Sequence, residues 1–253
     1  MRGVLYVSHG SRVPEAVSEA TSFIESVKTQ VDVPLQETCF LELVEPTLSQ
    51  GFQRLVERGA TEISVVPVLL LSAGHYFKDI PAEIEENQQR FPNVEVSYGK
   101  PLGVQRRLTE ILKDRIEETQ STVQSDAKIL IVGRGSRNPQ TQRDLTEIQQ
   151  QLCDMLDMSN IEVCYLAACS PAFEDKLQDA VNEQPSQIFI VPYLWFTGIL
   201  DQHIVAEAGR YKNEPSDIIL CERLGHHLNL QLALKDRVIE TFDDIDQTSK
   251  LNS

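Results

Sequence analysis

A chain of 253 residues, 41% hydrophobic and 24% charged, has the composition of a globular protein, with room for one large domain or two of ordinary size. Its formal net charge of −15 argues against nucleic acid as a partner, because binding polyphosphate takes a surplus of Lys and Arg, but leaves small anionic ligands open to a local basic patch. No apolar run approaches the roughly 20 residues of a membrane span, and Met1-Arg2 leads into an apolar strand without a signal-peptide pattern, so a cytoplasmic location is expected.

Short β-branched or apolar runs predict strands at 3–7, 35–41, 63–70 and 94–98, and apolar residues at helical spacing predict helices near 15–31, 48–58, 82–91 and 104–118. A polar segment, 120–126, follows. The pattern then repeats, with strands at 128–132, 162–167, 188–195 and 218–221. Laid on itself, the chain matches at a constant offset of 125 residues (9 to 134, 67 to 192). Ser8-His9-Gly10-Ser11-Arg12 meets Gly133-Arg134-Gly135-Ser136-Arg137, Phe40-Leu41 meets Tyr165-Leu166, Pro46 meets Pro171, and Val66-Pro67 meets Val191-Pro192. The expected fold is therefore α/β, with two similar domains related by duplication, each a four-stranded parallel sheet flanked by helices and joined by right-handed crossovers. The expected boundaries are a first domain at 1–120, a linker at 121–127, a second domain at 128–241 and a frayed polar tail at 242–253. Five cysteines, Cys39, Cys153, Cys164, Cys169 and Cys221, are scattered without a C-x-x-C pair and read as buried reduced thiols.

In parallel α/β sheets ligands gather at the carboxyl ends of the strands. Three side chains of the first copy arise there: His9 after the first strand, Glu42 at the end of the second and His75 just past the third. Two imidazoles and a carboxylate suit a divalent transition metal, and a neutral imidazole also accepts a proton near pH 7. Taken singly, His9 is equally well a helix-capping residue, His75 a loop histidine bonded to backbone, and Glu42 a solvated acid like Glu45. The second copy has Arg134, Ala167 and Leu200 at the equivalent places, so one metal centre is implied, in the first copy. Arg134 and Arg137 ligate no metal but pair well with carboxylates. His203 starts a helix, and the adjacent His226 and His227 read as surface residues.

Four segments together resemble a known family: Ser8-His9-Gly10-Ser11-Arg12; Phe40-Leu41-Glu42-Leu43 with Pro46; Gly74-His75 followed by Asp79-Ile80-Pro81; and Phe196-Thr197-Gly198-Ile199-Leu200. The chain is similar, through about Thr241, to the class II chelatases and within them to the long, two-domain sirohydrochlorin chelatases. The resemblance implies a cleft between two chelatase-like domains that takes sirohydrochlorin, a macrocycle with eight carboxylates, and inserts Fe(II) with loss of two protons to give sirohaem. It makes His9 and His75 the catalytic pair and metal ligands, assisted by Glu42, and puts Ser11, Arg12, Arg134, Ser136 and Arg137 on the macrocycle. It implies no permanently bound cofactor: iron is a substrate. Co(II) is the alternative metal, as in the cobalamin branch, whose long members carry a histidine-rich segment and a C-terminal cysteine motif that are missing here. The expected partners are the macrocycle and a divalent metal, without nucleic acid or membrane, in a monomer or weak homo-oligomer. A histidine phosphotransferase would need more basic residues around His9, whereas a non-enzymatic tetrapyrrole or metal carrier would bind without turnover.

Overall fold

The computed structural model describes residues 1–72 and 74–251, and the side chains of His75 and of 244–251 lie outside that description. The first sheet contains β1 (Arg2–Ser8), β2 (Leu35–Phe40), β3 (Glu62–Pro67) and β4 (Glu95–Tyr98), all parallel, in the spatial order β2-β1-β3-β4. The second repeats it with β5 (Lys128–Gly133), β6 (Ile161–Tyr165), β7 (Gln187–Tyr193) and β8 (Asp217–Leu220), in the order β6-β5-β7-β8. In each sheet the chain steps outward from the first strand to the second, then returns to the first strand's other side. The strand order thus reverses there, the place where open α/β sheets bind ligands at the strands' carboxyl ends.

β1 and β5 are buried almost throughout, as parallel strands covered on both faces must be. In the first sheet, Leu5, Val7, Ile63 and Val65 point to one face and meet Leu48, Phe52 and Leu55 of α2 (Leu48–Glu57) and Ile80 and Ile84 of α3 (Ile80–Arg90). Tyr6 takes the other face by the period of two; Lys28, at the end of α1 (Pro14–Lys28), sits 6.0 Å from its ring. The second sheet places Leu130, Val132, Ile188 and Ile190 against Phe173, Leu177, Ala180 and Val181 of α6 (Phe173–Glu183) and Ile204 and Ala208 of α7 (Ile199–Gly209).

The compact units are drawn differently from the sequence repeats. Met1–Gly103 form one unit together with the segment from Gln231 onward, and Val104–Leu230 form the other. The expected boundaries at 120 and 128 follow the repeat; the contacts do not. α4 (Arg106–Glu118), the closing helix of the first repeat, lies in the second unit, where Thr109 Oγ1 donates to Gln151 Oε1 of α5 (Pro139–Leu156) at 2.7 Å and Arg115 donates to Leu224 O at 2.9 Å. In turn α8 (Leu228–Leu251) supplies the first unit with Ala233, Leu234, Val238 and Thr241, all buried. Arg237 donates from that helix to Leu102 O at 2.7 Å, Gln231 accepts from Gln30 at 2.9 Å, and Arg2 stacks over the Phe242 ring at 4.7 Å. The backbone of the expected polar tail, 242–253, is helical as far as Leu251, and 252–253 lie outside the described residues. No helix of the described residues is long and apolar enough to cross a membrane.

Candidate active site

The site begins with backbone hydrogen bonds that carry the β1–β2 ladder past both strands. Leu41 N–H donates to Ser8 O at 2.9 Å and Glu42 N–H to His9 O at 3.2 Å, so the two residues leaving adjacent strands stand side by side. Gly10 lets the loop come this close: its φ is +91°, and a Cβ there would lie 2.0 Å from Glu42 O. Only glycine fits such a contact in that conformation. Ser11 Oγ then accepts from Val13 N–H at 3.0 Å and turns the chain into α1, with the Arg12 side chain exposed.

His9 Nδ1 is 3.1 Å from Gly10 O. With its proton donated there, the imidazole keeps the Nε2 lone pair on the other side, and Nε2 lies 3.5 Å from Glu42 Oε1. The two side chains are 36% and 49% exposed, open to a solute without being free in solvent. A neutral imidazole and a carboxylate both present lone pairs across this gap. Two ligands bound tetrahedrally at about 2.0–2.2 Å would stand about 3.4 Å apart. The observed spacing therefore suits a cation between them, and is too long for a shared proton.

After Glu42 the chain makes a tight γ-turn, with Val44 N–H donating to Glu42 O at 2.8 Å around Leu43 at φ +69°. Thr47 caps α2 through a reciprocal pair with Gln50, at 3.3 and 2.9 Å, which fixes the far end of the loop. His75 opens a π-helical turn (His75–Asp79) that runs into α3. Tyr98 on β4 anchors this turn: its hydroxyl donates to Tyr76 O at 2.9 Å and the two rings stack at 5.1 Å. The His75 side chain lies outside the described residues, and among the described residues no three His, Cys, Asp or Glu side chains form a metal-sized cluster.

The second unit keeps the framework and changes the chemistry. Leu166 N–H donates to Gly133 O at 3.0 Å, Ala167 N–H to Arg134 O at 2.9 Å, and Cys169 N–H to Ala167 O at 2.9 Å around Ala168 at φ +65°. Gly135, at φ +85°, would place a Cβ 2.0 Å from Ala167 O, as Gly10 would at Glu42. Ser136 Oγ accepts from Asn138 N–H at 3.1 Å, the counterpart of the Ser11 turn. Arg134 and Arg137 are exposed on this loop, at the start of α5.

A family model described as CbiX matches residues 3–119 and again 128–241. The chain belongs to the CbiX family. Among its CbiX relatives, a sirohydrochlorin ferrochelatase of Priestia megaterium is 46% identical over 238 residues, covering 94% of this chain and 90% of its own. A sirohydrochlorin cobaltochelatase of the same organism is 34% identical over 246 residues, covering 95% of this chain and 80% of its own. A solved structure of SirB from Bacillus subtilis with Fe3+ superposes at a TM-score of 0.86 and 38% identity, covering 95% of each chain.

Several polar residues of this CbiX chain sit differently from expectation. His226 is exposed as expected, but His227 is partly buried and paired. Its Nδ1 accepts from Asn229 N–H at 3.2 Å at the start of α8, and its Nε2 is 3.2 Å from Asp114 Oδ2. His203 lies within α7, with Nε2 2.6 Å from Glu174 Oε1 on α6. Cys153 and Cys169 are half-buried, unlike Cys39, Cys164 and Cys221, and all five are free thiols. A histidine two residues before a helical Asn is a weak capping signal that sequence reading passed over; the partner of His203 is 29 residues away and gives none.

Proposed function

We propose that this chain is a sirohydrochlorin ferrochelatase, which inserts Fe(II) into metal-free sirohydrochlorin and releases sirohaem and two protons. The observation that carries this reading is the His9–Glu42 pair, Nε2 to Oε1 at 3.5 Å, at the carboxyl ends of adjacent strands. As the metal enters, four ring nitrogens bind it and two lose their protons. The reaction thus needs a weak metal site and a proton acceptor facing the same macrocycle. Glu42 delivers the cation, and His9 and His75 share its ligation and the uptake of the two protons. A neutral imidazole performs either task and an imidazolium neither.

Arg134 and Arg137, exposed on the equivalent loop of the second unit, are suited to the carboxylates of such a macrocycle, which a guanidinium can bind in bidentate fashion. Ser11, Arg12 and Ser136 offer hydrogen-bond donors of the kind such carboxylates accept. The free thiols suit a reducing compartment, so we place the enzyme in the cytoplasm, as a monomer or weak homo-oligomer. The same donor set accepts Co(II), which makes cobalt the second reading. Iron is preferred because the ferrochelatase relative is the more similar of the two, at 46% against 34% identity. Anaerobic incubation with sirohydrochlorin and either Fe(II) or Co(II), followed by absorption spectroscopy, tests reaction and metal together. Repeated turnover with Fe(II) is the expected result; stoichiometric binding without release would make the protein a carrier.

A further inference from the structure

Leu43 stands where a leucine has little reason to be. Its φ of +69° places it at the centre of a γ-turn of the strained, positive-φ hand. Burial does not offset that strain, because the residue is 54% exposed. It directly follows Glu42, whose carbonyl is pinned by the close approach of Gly10. The side chain therefore hangs from a backbone with little freedom, next to the carboxylate of the proposed site.

The duplication separates what the turn needs from what the site needs. The second unit builds the same turn around Ala168, at φ +65°, with the same hydrogen bond and the same glycine contact. Phe40 and Leu41 become Tyr165 and Leu166, and Pro46 stays proline as Pro171, so the flanking framework is kept. Glu42 becomes Ala167 and Leu43 becomes Ala168. The copy that lost the carboxylate also lost the leucine, although its backbone tolerates a non-glycine residue there. The leucine goes with the chemistry, not with the fold.

We propose that Leu43 is a substrate-contact residue whose side chain packs against the conjugated face of the tetrapyrrole, beside the carboxylate that delivers the metal. The inference rests on the function proposed above. Such a macrocycle carries its carboxylates on the rim, while its face is apolar. A metal reaches the four nitrogens only through that face, so groups next to the delivering carboxylate meet apolar surface. An exposed leucine suits this place because its burial is favourable and because it offers no polar atom to compete with the pyrrole nitrogens for metal or proton. A backbone held by the γ-turn reduces the ordering cost of the contact.

Equilibrium titration of metal-free sirohydrochlorin, followed by its absorption, compares the wild-type chain with Leu43→Asn, Leu43→Gly and Leu43→Met, and anaerobic Fe(II) insertion is measured separately. Asn and Gly suit positive φ, so these variants should melt no lower than wild type. The dissociation constant should rise about fivefold in both, as expected for losing partial burial of one leucine, and Leu43→Met should stay within about twofold. The dependence of rate on iron concentration should not change. Wild-type affinity in stable Asn and Gly variants overturns the proposal, as does a shift in iron dependence with macrocycle affinity intact. A wild-type chain that binds sirohydrochlorin but inserts no metal refutes the ferrochelatase reading, while the comparison of dissociation constants still decides the contact. A wild-type chain that does not bind it refutes both.

Discussion

Replacing His9 by alanine removes the imidazole whose Nε2 faces Glu42 across 3.5 Å. Iron insertion should fall at least about a hundredfold, the lower range for losing a positioned proton acceptor, with an unchanged circular dichroism spectrum, because His9 is half-exposed. Glu42→Gln keeps the size and loses the charge. Its expected signature is a raised Michaelis constant for Fe(II) with little change for the macrocycle, and steady-state kinetics with each substrate varied in turn would separate the two. Arg134→Ala should do the converse, raising the Michaelis constant for sirohydrochlorin about tenfold, as loss of a charge-assisted hydrogen bond of about 1.5 kcal/mol or more implies. An unchanged constant would remove Arg134 from the binding site. The adjacency of His9 and Glu42 was legible because a strand exit is a local property of sequence, and parallel register then sets the two side by side. The roles of His203 and His227 were not, since each depends on a carboxylate, Glu174 or Asp114, brought near only by tertiary packing.

At the scale of elements, the loop after each first strand is held by a glycine that touches backbone, and the cost of that contact is measurable. Gly10 and Gly59 share a φ of +91°, but a Cβ at Gly59 meets nothing within 4 Å while one at Gly10 lies 2.0 Å from Glu42 O. Gly59→Ala should therefore cost only the conformational penalty of about 1–2 kcal/mol, and Gly10→Ala about 3–4 kcal/mol because backbone must also move. Denaturant melts of the two variants isolate the contact by difference. Equal losses would show that the loop yields freely. The γ-turns were invisible in the sequence, as Leu43 and Ala168 carry no signal for positive φ: glycine or asparagine would have given one, whereas leucine and alanine read as extended chain. Burial of the strand thiols was better anticipated. Desolvation, with Glu162 nearby, pushes the Cys164 thiol up to about 12. A raised value favours the neutral thiol in the folded state, so this stabilisation is complete below the unfolded thiol's value of about 8.5 and is lost as pH rises from there towards about 12. Alkylation at pH 8 without denaturant should accordingly reach Cys153 and Cys169 first; mass spectrometry of the modified peptides identifies them.

For the molecule as a whole, two parallel sheets were legible in the alternation of strands and helices, and the duplication in one constant offset. The destination of each closing helix was not. An amphipathic pattern such as Leu108, Ile111, Leu112 and Ile116 states which face is buried but not against which partner, so repeat and compact unit were expected to coincide. Because they differ, the first unit is assembled from discontinuous sequence and the second from one uninterrupted stretch, Val104–Leu230. Chains on the ribosome meet that difference as a matter of timing. When residues up to 230 have emerged, everything the second unit needs is present, while the first unit still lacks Ala233, Leu234, Val238 and Thr241. Domains fold as units during synthesis, ordinarily the N-terminal one first; here the later-made half should mature before the earlier one. Stalled nascent chains ending near residue 230, once outside the exit tunnel, should resist protease across β5–β8 and be cut within β1–β4. Of the two units, the one bearing His9 and Glu42 would then become competent later, which delays assembly of the proposed metal-binding pair until the helix that closes its unit has emerged.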